Sequence, residues 1–395
     1  MKVCLIAKYP PIEGGESSKT YWMARGLGRR GCDVHIVTNA WEVEDEYRES
    51  ITVSDLNSHY QPHSVFVHNT DPFSDPSYIP YSKPYTEKIS GLAIDVIRQF
   101  DVDIVDSWYL LPYAVSGFMA SSITGKPQIV RHAGSDITRL FNSPMMNSLF
   151  VEIFRRSRIV TYPGDKALFD DLGIDDSCIH LNRLVSVDTS VFTPEAEALD
   201  MREFFGPDFD NEPVITYAGK VGVTKGVYEL VEAFANLREK ARLLFVCGGA
   251  GAKRLHEVIC QKGLNSRIAF RSFLPPWKMP SVFRASICVV VPERDFPVAQ
   301  HTPILPREVL ATGSCLVLSR EIYDKLRFLG INENQHALVV DPKKIGEFTE
   351  VIRTVLNDGA QRLELGRQGR ALSERVERFE DYIDDMLGLY KKMLG

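Results

Sequence analysis

No run of about twenty apolar residues occurs, which is the length a membrane-crossing helix needs, so no spanning segment is expected. The seven cysteines contain no Cys-x-x-Cys pair, and most fall in apolar runs (Cys4, Cys247, Cys288, Cys315). They read as buried, reduced thiols of a cytoplasmic protein, not as a disulfide or zinc framework. Positive charge is not in excess: 46 Lys and Arg against 52 Asp and Glu leave a net charge of −6. That balance argues against nucleic acid as the main partner. No Gly-x-Gly-x-x-Gly occurs, so a dinucleotide-dependent dehydrogenase is disfavoured. The opening "MKVCLIAKYPP" is too short an apolar stretch for a signal sequence, and its Pro-Pro ends it. What is present is ordinary for a globular protein: 395 residues, 44% apolar and 25% charged. That length exceeds one compact core and predicts two domains.

Short apolar runs alternate with helical patterns along the chain. The first half offers "KVCLIA", "DVHIVT", "VDIVDS", "QIVRH" and "RIVTYPG". The second offers "PVITYAG", "RLLFVCGG", "RIAFRSF", "ICVVVPE", "SCLVLS" and "HALVV". Between them lie amphipathic segments such as "GVYELVEAFANL", where Val227, Leu230, Val231, Phe234 and Leu237 form one stripe at the 3.6-residue period. Strand–helix alternation in both halves predicts an α/β protein of two Rossmann-like domains with parallel sheets. The boundary is placed in "NRLVSVDTSVFTPEAEALD", giving domains 1–190 and 191–376. The stretch 41–90, rich in Asp, Ser, His, Pro and Tyr, reads as long loops around a site or as irregular surface.

Four loops carry chemistry. After the first strand, Gly14 and Gly15 precede a helix whose free N–H groups suit an anion, although a plain tight turn needs the same residues. In "ITYAGKVGVTKGVYEL", Lys220 and Lys225 sit among Gly219, Gly222 and Gly226, a composition suited to a diphosphate. The glycines of "FVCGGAG", with Gly249 in the middle, permit close approach of a ligand or of a neighbouring loop. The stiff run Leu274-Pro275-Pro276-Trp277 could hold the flat face of a base or be a packed turn. The acidic "DFDNE" at 208–212 reads as a solvated linker, and no metal site is expected.

Together these pieces resemble glycosyltransferase family 4, whose fold is GT-B: two Rossmann-like domains facing each other across a cleft. The segments that carry the resemblance are "YPPIEGG…MARGLGRRGCDVHIVT", "RHAGSDI", "NRLVSVDTSVFTP", "YAGKVGVTKGVYELVEAF" and "REVLATGSCLVLS", in the family's order and spacing. The resemblance implies that Glu308 accepts hydrogen bonds from the ribose hydroxyls of a sugar nucleotide. It implies that the loop His301, Thr302, Pro303, Ile304 and Leu305 faces the diphosphate, with N–H donors from Thr302, Ile304 and Leu305 because proline has none. It puts His132 near the donor sugar, where a buried structural histidine is the alternative, and leaves Asp136 as a ligand or a helix cap. The family's second glutamate, eight positions before the ribose one, is here Gln300. Glu293 in "PERDFP" aligns there only with an insertion of about seven residues. The family's phosphate-binding arginine is Lys220, which keeps the charge and loses the bidentate fork.

The implied activity is a retaining, metal-independent hexosyltransferase (a transferase of polysaccharide biosynthesis) with Lys220, Lys225, His132 and Gln300 in catalytic roles. Its donor would be a nucleotide-diphosphate sugar, expected to be a UDP-sugar, and its acceptor a glycan, lipid-linked or small molecule. No cofactor is implied beyond the donor. The helix 377–395 is expected to pack back on the N-terminal domain. The segment "SDITRLFNSPMMNSLFVEIFRRSRIV" reads as a core helix with a basic end, or as a contact for a lipid-linked acceptor at the inner membrane face. Two alternatives stay open: a degenerate, non-catalytic nucleotide-sugar-binding partner protein, kept by Gln300, and a GT-B sugar-nucleotide epimerase.

Overall fold

The computed structural model describes residues 1–71, 84–140, 143–182, 185–298 and 302–395. The chain divides into two compact units. The first comprises Met1–Glu44, Ile51–Val185 and Glu380–Gly395; the second comprises Asp45–Ser50 and Ser186–Phe379.

The first unit is built on seven parallel strands: β1 (Lys2–Ile6), β2 (Asp33–Thr38), β3 (Val65–Asn69), β4 (Ile104–Trp108), β5 (Gln128–Arg131), β6 (Arg158–Thr161) and β7 (Ile179–Leu181). Their order is β3-β2-β1-β4-β5-β6-β7. The second unit has six: β8 (Val214–Lys220), β9 (Arg242–Gly248), β10 (Ile268–Arg271), β11 (Cys288–Val291), β12 (Cys315–Ser319) and β13 (Leu338–Val340), ordered β10-β9-β8-β11-β12-β13. The central strands are near-continuous apolar runs because helices cover both faces of each sheet. The stripe of the Val227–Ala235 helix does this in the second unit, with Val227, Leu230, Val231 and Phe234 all buried.

In each sheet the chain leaves the first strand toward one edge and then returns to build the other side. Loops from β1 and β4, and from β8 and β11, therefore diverge at the strands' C-terminal ends, where doubly wound sheets bind ligands. Two strands, β3 and β7, were not foreseen in the sequence. Both are edges, and "VFVHN" and "IHL" lack the apolar run of a strand buried on both sides.

The C-terminal helix Phe379–Leu394 belongs to the first unit from Glu380 onward. Its Tyr390 hydroxyl donates to Asp106 at 2.6 Å, and Asp106 in turn accepts from Arg131 at 2.6 Å. Tyr382 reaches Met23 Sδ at 3.1 Å, and Arg30 pairs with Asp384 at 2.9 Å at the surface. The segment after β5 forms two helices, Ser135–Leu140 and Pro144–Arg156. Phe150, Ile153 and Phe154 of the second enter the core, while Met145 stands in solvent.

Candidate active site

The cluster with the most chemistry lies at the ends of β8 and β11 in the second unit. β8 ends at Gly219-Lys220, with Gly219 at φ +144 and the Tyr217 hydroxyl donating to the Lys220 carbonyl at 2.6 Å. The Lys220 side chain is exposed. A single turn, Val223–Lys225, follows, and Gly226 at φ +66 caps the next helix. A Cβ on Gly226 would stand 1.9 Å from the Pro292 carbonyl oxygen, so this approach of the loop to the end of β11 requires glycine.

Four contacts stitch the two loops together. Arg294 N–H donates to the Thr224 carbonyl at 2.8 Å. Lys225 Nζ lies 2.7 Å from Glu293 Oε2, and 4.6 Å from the Phe296 ring centroid. The Arg294 guanidinium binds Glu229 on the following helix at 2.7 Å. The two lysines expected at a diphosphate therefore differ in their surroundings. Lys220 is exposed, but Lys225 is already neutralised by a buried carboxylate that an incoming phosphate must compete with. Sequence reasoning noticed Glu293 and did not connect it to Lys225. The pairing is tertiary, 68 residues apart in the chain.

Glu308 is buried within the short helix Leu305–Ala311, with Ile304 leading in and Pro306 in its first turn. That helix is held from several sides. Arg307 forms a two-pronged buried pair with Glu377, at 2.7 and 2.5 Å, and Glu377 also accepts the Val187 N–H at 2.8 Å. Arg370 donates to the carbonyls of Ala311, Thr189 and Phe192. The glycines of helix Gly359–Val376 set the approach: a Cβ on Gly366 would fall 2.2 Å from the Gly313 carbonyl, and one on Gly369 2.7 Å from Leu310. A carboxylate fixed on so braced a helix is placed before any ligand arrives. Thr302, Pro303 and Leu305 are half-buried at its start. Gln300 and His301 lie outside the described residues.

Leu274 is partly buried, packed against the apolar cluster of Val214, Leu244 and Val282, while Pro275 and Pro276 are buried. Gly249, at φ +92, was expected to admit a ligand or a neighbouring loop. A neighbouring segment is what it meets: its N–H donates to the Glu46 carbonyl at 2.7 Å.

In the first unit, Gly15 is exposed at the start of helix Gly15–Arg29. His132 is buried, and both its ring nitrogens are engaged. Nδ1 accepts the Gly134 N–H at 3.1 Å, so Nε2 carries the proton and donates to Thr161 Oγ1 at 2.7 Å. Burial lowers its pKa to about 4, leaving it neutral. The ring thus holds its loop, in line with the buried structural reading, and both ring nitrogens are already occupied. Asp136 serves the same loop: it accepts the N–H groups of Leu110, Ala133 and Ile137 at 2.8–3.0 Å. Burial raises its pKa to about 6 against those bonds. Among the described residues, no group of three or more His, Cys, Asp or Glu is placed to hold a metal ion.

Two α/β units, each with a parallel sheet of doubly wound order, match the GT-B fold of solved structures. Residues 202–372 match the family model described as "Glycosyl transferases group 1", and those residues carry Lys220, Lys225, Glu293 and Glu308. The alpha-D-kanosaminyltransferase of Streptomyces kanamyceticus is 25% identical over 202 residues, 50% of this chain and 50% of that protein. The chain therefore spans about half the length of this relative. Likeness of fold runs the full length. The sucrose-phosphate synthase of Thermosynechococcus elongatus superposes with a TM-score of 0.69 at 17% identity, covering 99% of this chain and 98% of that one. HepE of Anabaena, in complex with UDP and glucose, superposes with a TM-score of 0.68 at 15% identity, covering 99% of each chain.

Proposed function

We propose that the protein is a retaining glycosyltransferase of family 4 type, moving a hexosyl group from a UDP-sugar to a hydroxyl of a glycan, lipid-linked or small-molecule acceptor. The observation that carries this reading is the set of loops at the ends of β8 and β11. They carry Lys220 at the end of β8 and Lys225 paired with Glu293, in the same unit as the braced, buried Glu308. A carboxylate that accepts two hydrogen bonds suits a cis-diol, and ammonium groups suit a diphosphate. The match of residues 202–372 to group 1 glycosyl transferases and the UDP held by HepE support the choice of donor.

In this reading the bond between the anomeric carbon and the β-phosphate oxygen breaks, and its electron pair leaves with the diphosphate. The acceptor oxygen bonds to the anomeric carbon from the same face, and its proton passes to the departing phosphate oxygen. The protein's part is to stabilise the charge that grows on that phosphate. Each well-placed donor contributes about 3 kcal/mol in a closed site. Lys220 meets the phosphate directly, and Lys225 does so as it is exchanged from Glu293. The two cations do the neutralising that a divalent ion performs elsewhere, so the reaction needs no metal.

Calorimetry with UDP, GDP and ADP on wild type and Glu308→Ala tests the donor site. The expected result is selective binding of UDP, weakened by about 2 kcal/mol or more in the variant. Binding of none of the three would remove the donor assignment. Binding without sugar transfer to any acceptor would favour the non-catalytic partner reading.

A further inference from the structure

Six residues of the chain's first half, Asp45–Ser50, are grouped with the second unit. They leave the first unit after Glu44 and rejoin it at Ile51, so they form a strap. Backbone hydrogen bonds seat it. The Glu46 carbonyl accepts the Gly249 N–H at 2.7 Å, and the Ser50 N–H donates to the Phe273 carbonyl at 2.7 Å. These are the loops that follow β9 and β10. The glycines there are shaped to the strap. A Cβ on Gly248 would fall 2.8 Å from the Glu46 carbonyl oxygen, and one on Gly249 would fall 3.1 Å from the Tyr47 ring.

Tyr47 is the side chain that the strap delivers. Its hydroxyl lies 3.4 Å from the Ala250 N–H. Its ring lies under the Lys220 ammonium, with Nζ 5.6 Å from the centroid. A cation over an aromatic face is attracted by the ring quadrupole. Lys220 has a long, flexible stem, and an ammonium on a four-carbon chain contributes little to binding unless something limits where it goes.

We propose that Tyr47 is a positioning residue of the donor site, whose ring holds the Lys220 ammonium where a nucleoside diphosphate meets it. This rests on the reading of Lys220 as a diphosphate ligand. A residue from the first half of the chain thereby belongs to a site otherwise formed by the second. The strap also gives the glycines of the β9 loop their purpose: they admit Tyr47 and Glu46 to the site.

The test is a double-mutant cycle read by calorimetry with UDP and with uridine. The variants are Tyr47→Leu, Tyr47→Phe, Lys220→Met and the double Tyr47→Leu/Lys220→Met. Leucine keeps apolar bulk under the strap and removes the ring face; phenylalanine keeps the ring. The expected result is a loss of UDP affinity of about fivefold in Tyr47→Leu, near-full retention in Tyr47→Phe, and no further loss when Tyr47→Leu is added to the Lys220→Met background. Uridine, which has no phosphate, should bind all four alike. UDP binding weakened by Lys220→Met but untouched by Tyr47→Leu would overturn this inference and leave the donor site standing. So would an equal loss from Tyr47→Leu with and without Lys220. Indifference of UDP binding to Lys220→Met, or no binding of UDP, GDP or ADP to wild type, would overturn the donor reading and this inference with it.

Discussion

Gly14 and Gly226 occupy the same place in their respective units, between the first strand and the helix it feeds, and both have positive φ, +111 and +66. Their surroundings differ. A Cβ on Gly14 would meet nothing within 4 Å, whereas one on Gly226 would press into the Pro292 carbonyl at 1.9 Å. Charge follows the same division. After β8 the loop holds Lys220 and Lys225 and is stitched to Glu293 and Arg294. After β1 the nearby lysines are spent locally, Lys19 on Glu16 at 2.6 Å and Lys8 over the Tyr109 ring at 4.5 Å. One strand–loop–helix device thus serves two ends. In the first unit glycine leaves an exposed backbone for something to approach. In the second it lets the loop close on its neighbour, so that charged side chains are placed in advance.

The largest effect should come from the ion pairs that each unit buries. Arg131–Asp106 lies beneath the C-terminal helix, and Arg307–Glu377 braces the helix that bears Glu308. Removing one partner leaves an uncompensated buried charge, which costs about 3–5 kcal/mol. Asp106→Asn and Glu377→Gln should both lose stability on that scale in urea denaturation. The comparison predicts a further split. Glu377→Gln should also weaken UDP binding, measured under conditions where the variant is folded, and Asp106→Asn should not. Equal effects on binding would mean that the bracing of Glu308 is not what the second pair provides.

Next in size is the glycine pair itself. Gly226→Ala meets both a left-handed backbone and a carbonyl at clashing distance and should cost about 2–3 kcal/mol. Gly14→Ala meets no clash but a backbone, φ +111 and ψ 168, that glycine alone adopts readily, and should cost about 1–3 kcal/mol. Thermal unfolding compares the two variants, and a Gly226→Ala cost smaller than that of Gly14→Ala would break the contrast drawn above.

How far the sequence could foresee this divides along the same line. Central strands were legible because burial on both faces makes them unbroken apolar runs. β3 and β7 were not, because an edge strand of three to five mixed residues leaves no such run. Lys220, Lys225 and Glu308 stood out because their residue types are unusual beside glycines and at a proline-led helix. Their partners did not: Glu293 and Lys225 are joined by tertiary approach through Gly226. Tyr47 lies in a polar, aperiodic stretch that reads equally as surface or site. His132 left two readings open for a physical reason. A histidine at the start of a glycine-bearing loop can face a ligand or hold its own loop, and its ring does the second through Thr161, 29 residues on, at the end of β6.

A contrast of another kind, which separates the units in solution, is acid sensitivity. The first unit holds three histidines whose pKa is lowered by burial: His35 to about 4, His132 to about 4, and His68. His35 is stacked between Phe66 and Phe100 and lies 3.1 Å from a ring nitrogen of His68, whose proximity lowers it further. In the unfolded chain each titrates near 6.5. Below that value the unfolded state binds more protons, so the stability these groups contribute is full above about pH 6.5 and is lost as pH falls toward about 4. Asp136 acts in the opposite sense. Its pKa is raised to about 6, so the folded state binds the extra proton between about 6 and 4, and stability rises there as pH falls. The histidines outnumber it, leaving a net loss on acidification of up to about 1.4 kcal/mol per pH unit for each uncompensated proton. In the second unit His336 is lowered by burial as well, and it stands against these three. Hydrogen exchange at about pH 5 should therefore show protection falling in β1, β2 and β5 before β8, β9 and β11. Asp136→Asn keeps an amide oxygen for the Ala133 and Ile137 N–H groups, turns its NH2 toward the Leu110 N–H at some cost in stability at every pH, and removes the opposing proton, so it should steepen the first unit's acid loss, while His35→Asn should flatten it. Parallel loss in both units, unmoved by either variant, would place the acid limit elsewhere than in these buried rings.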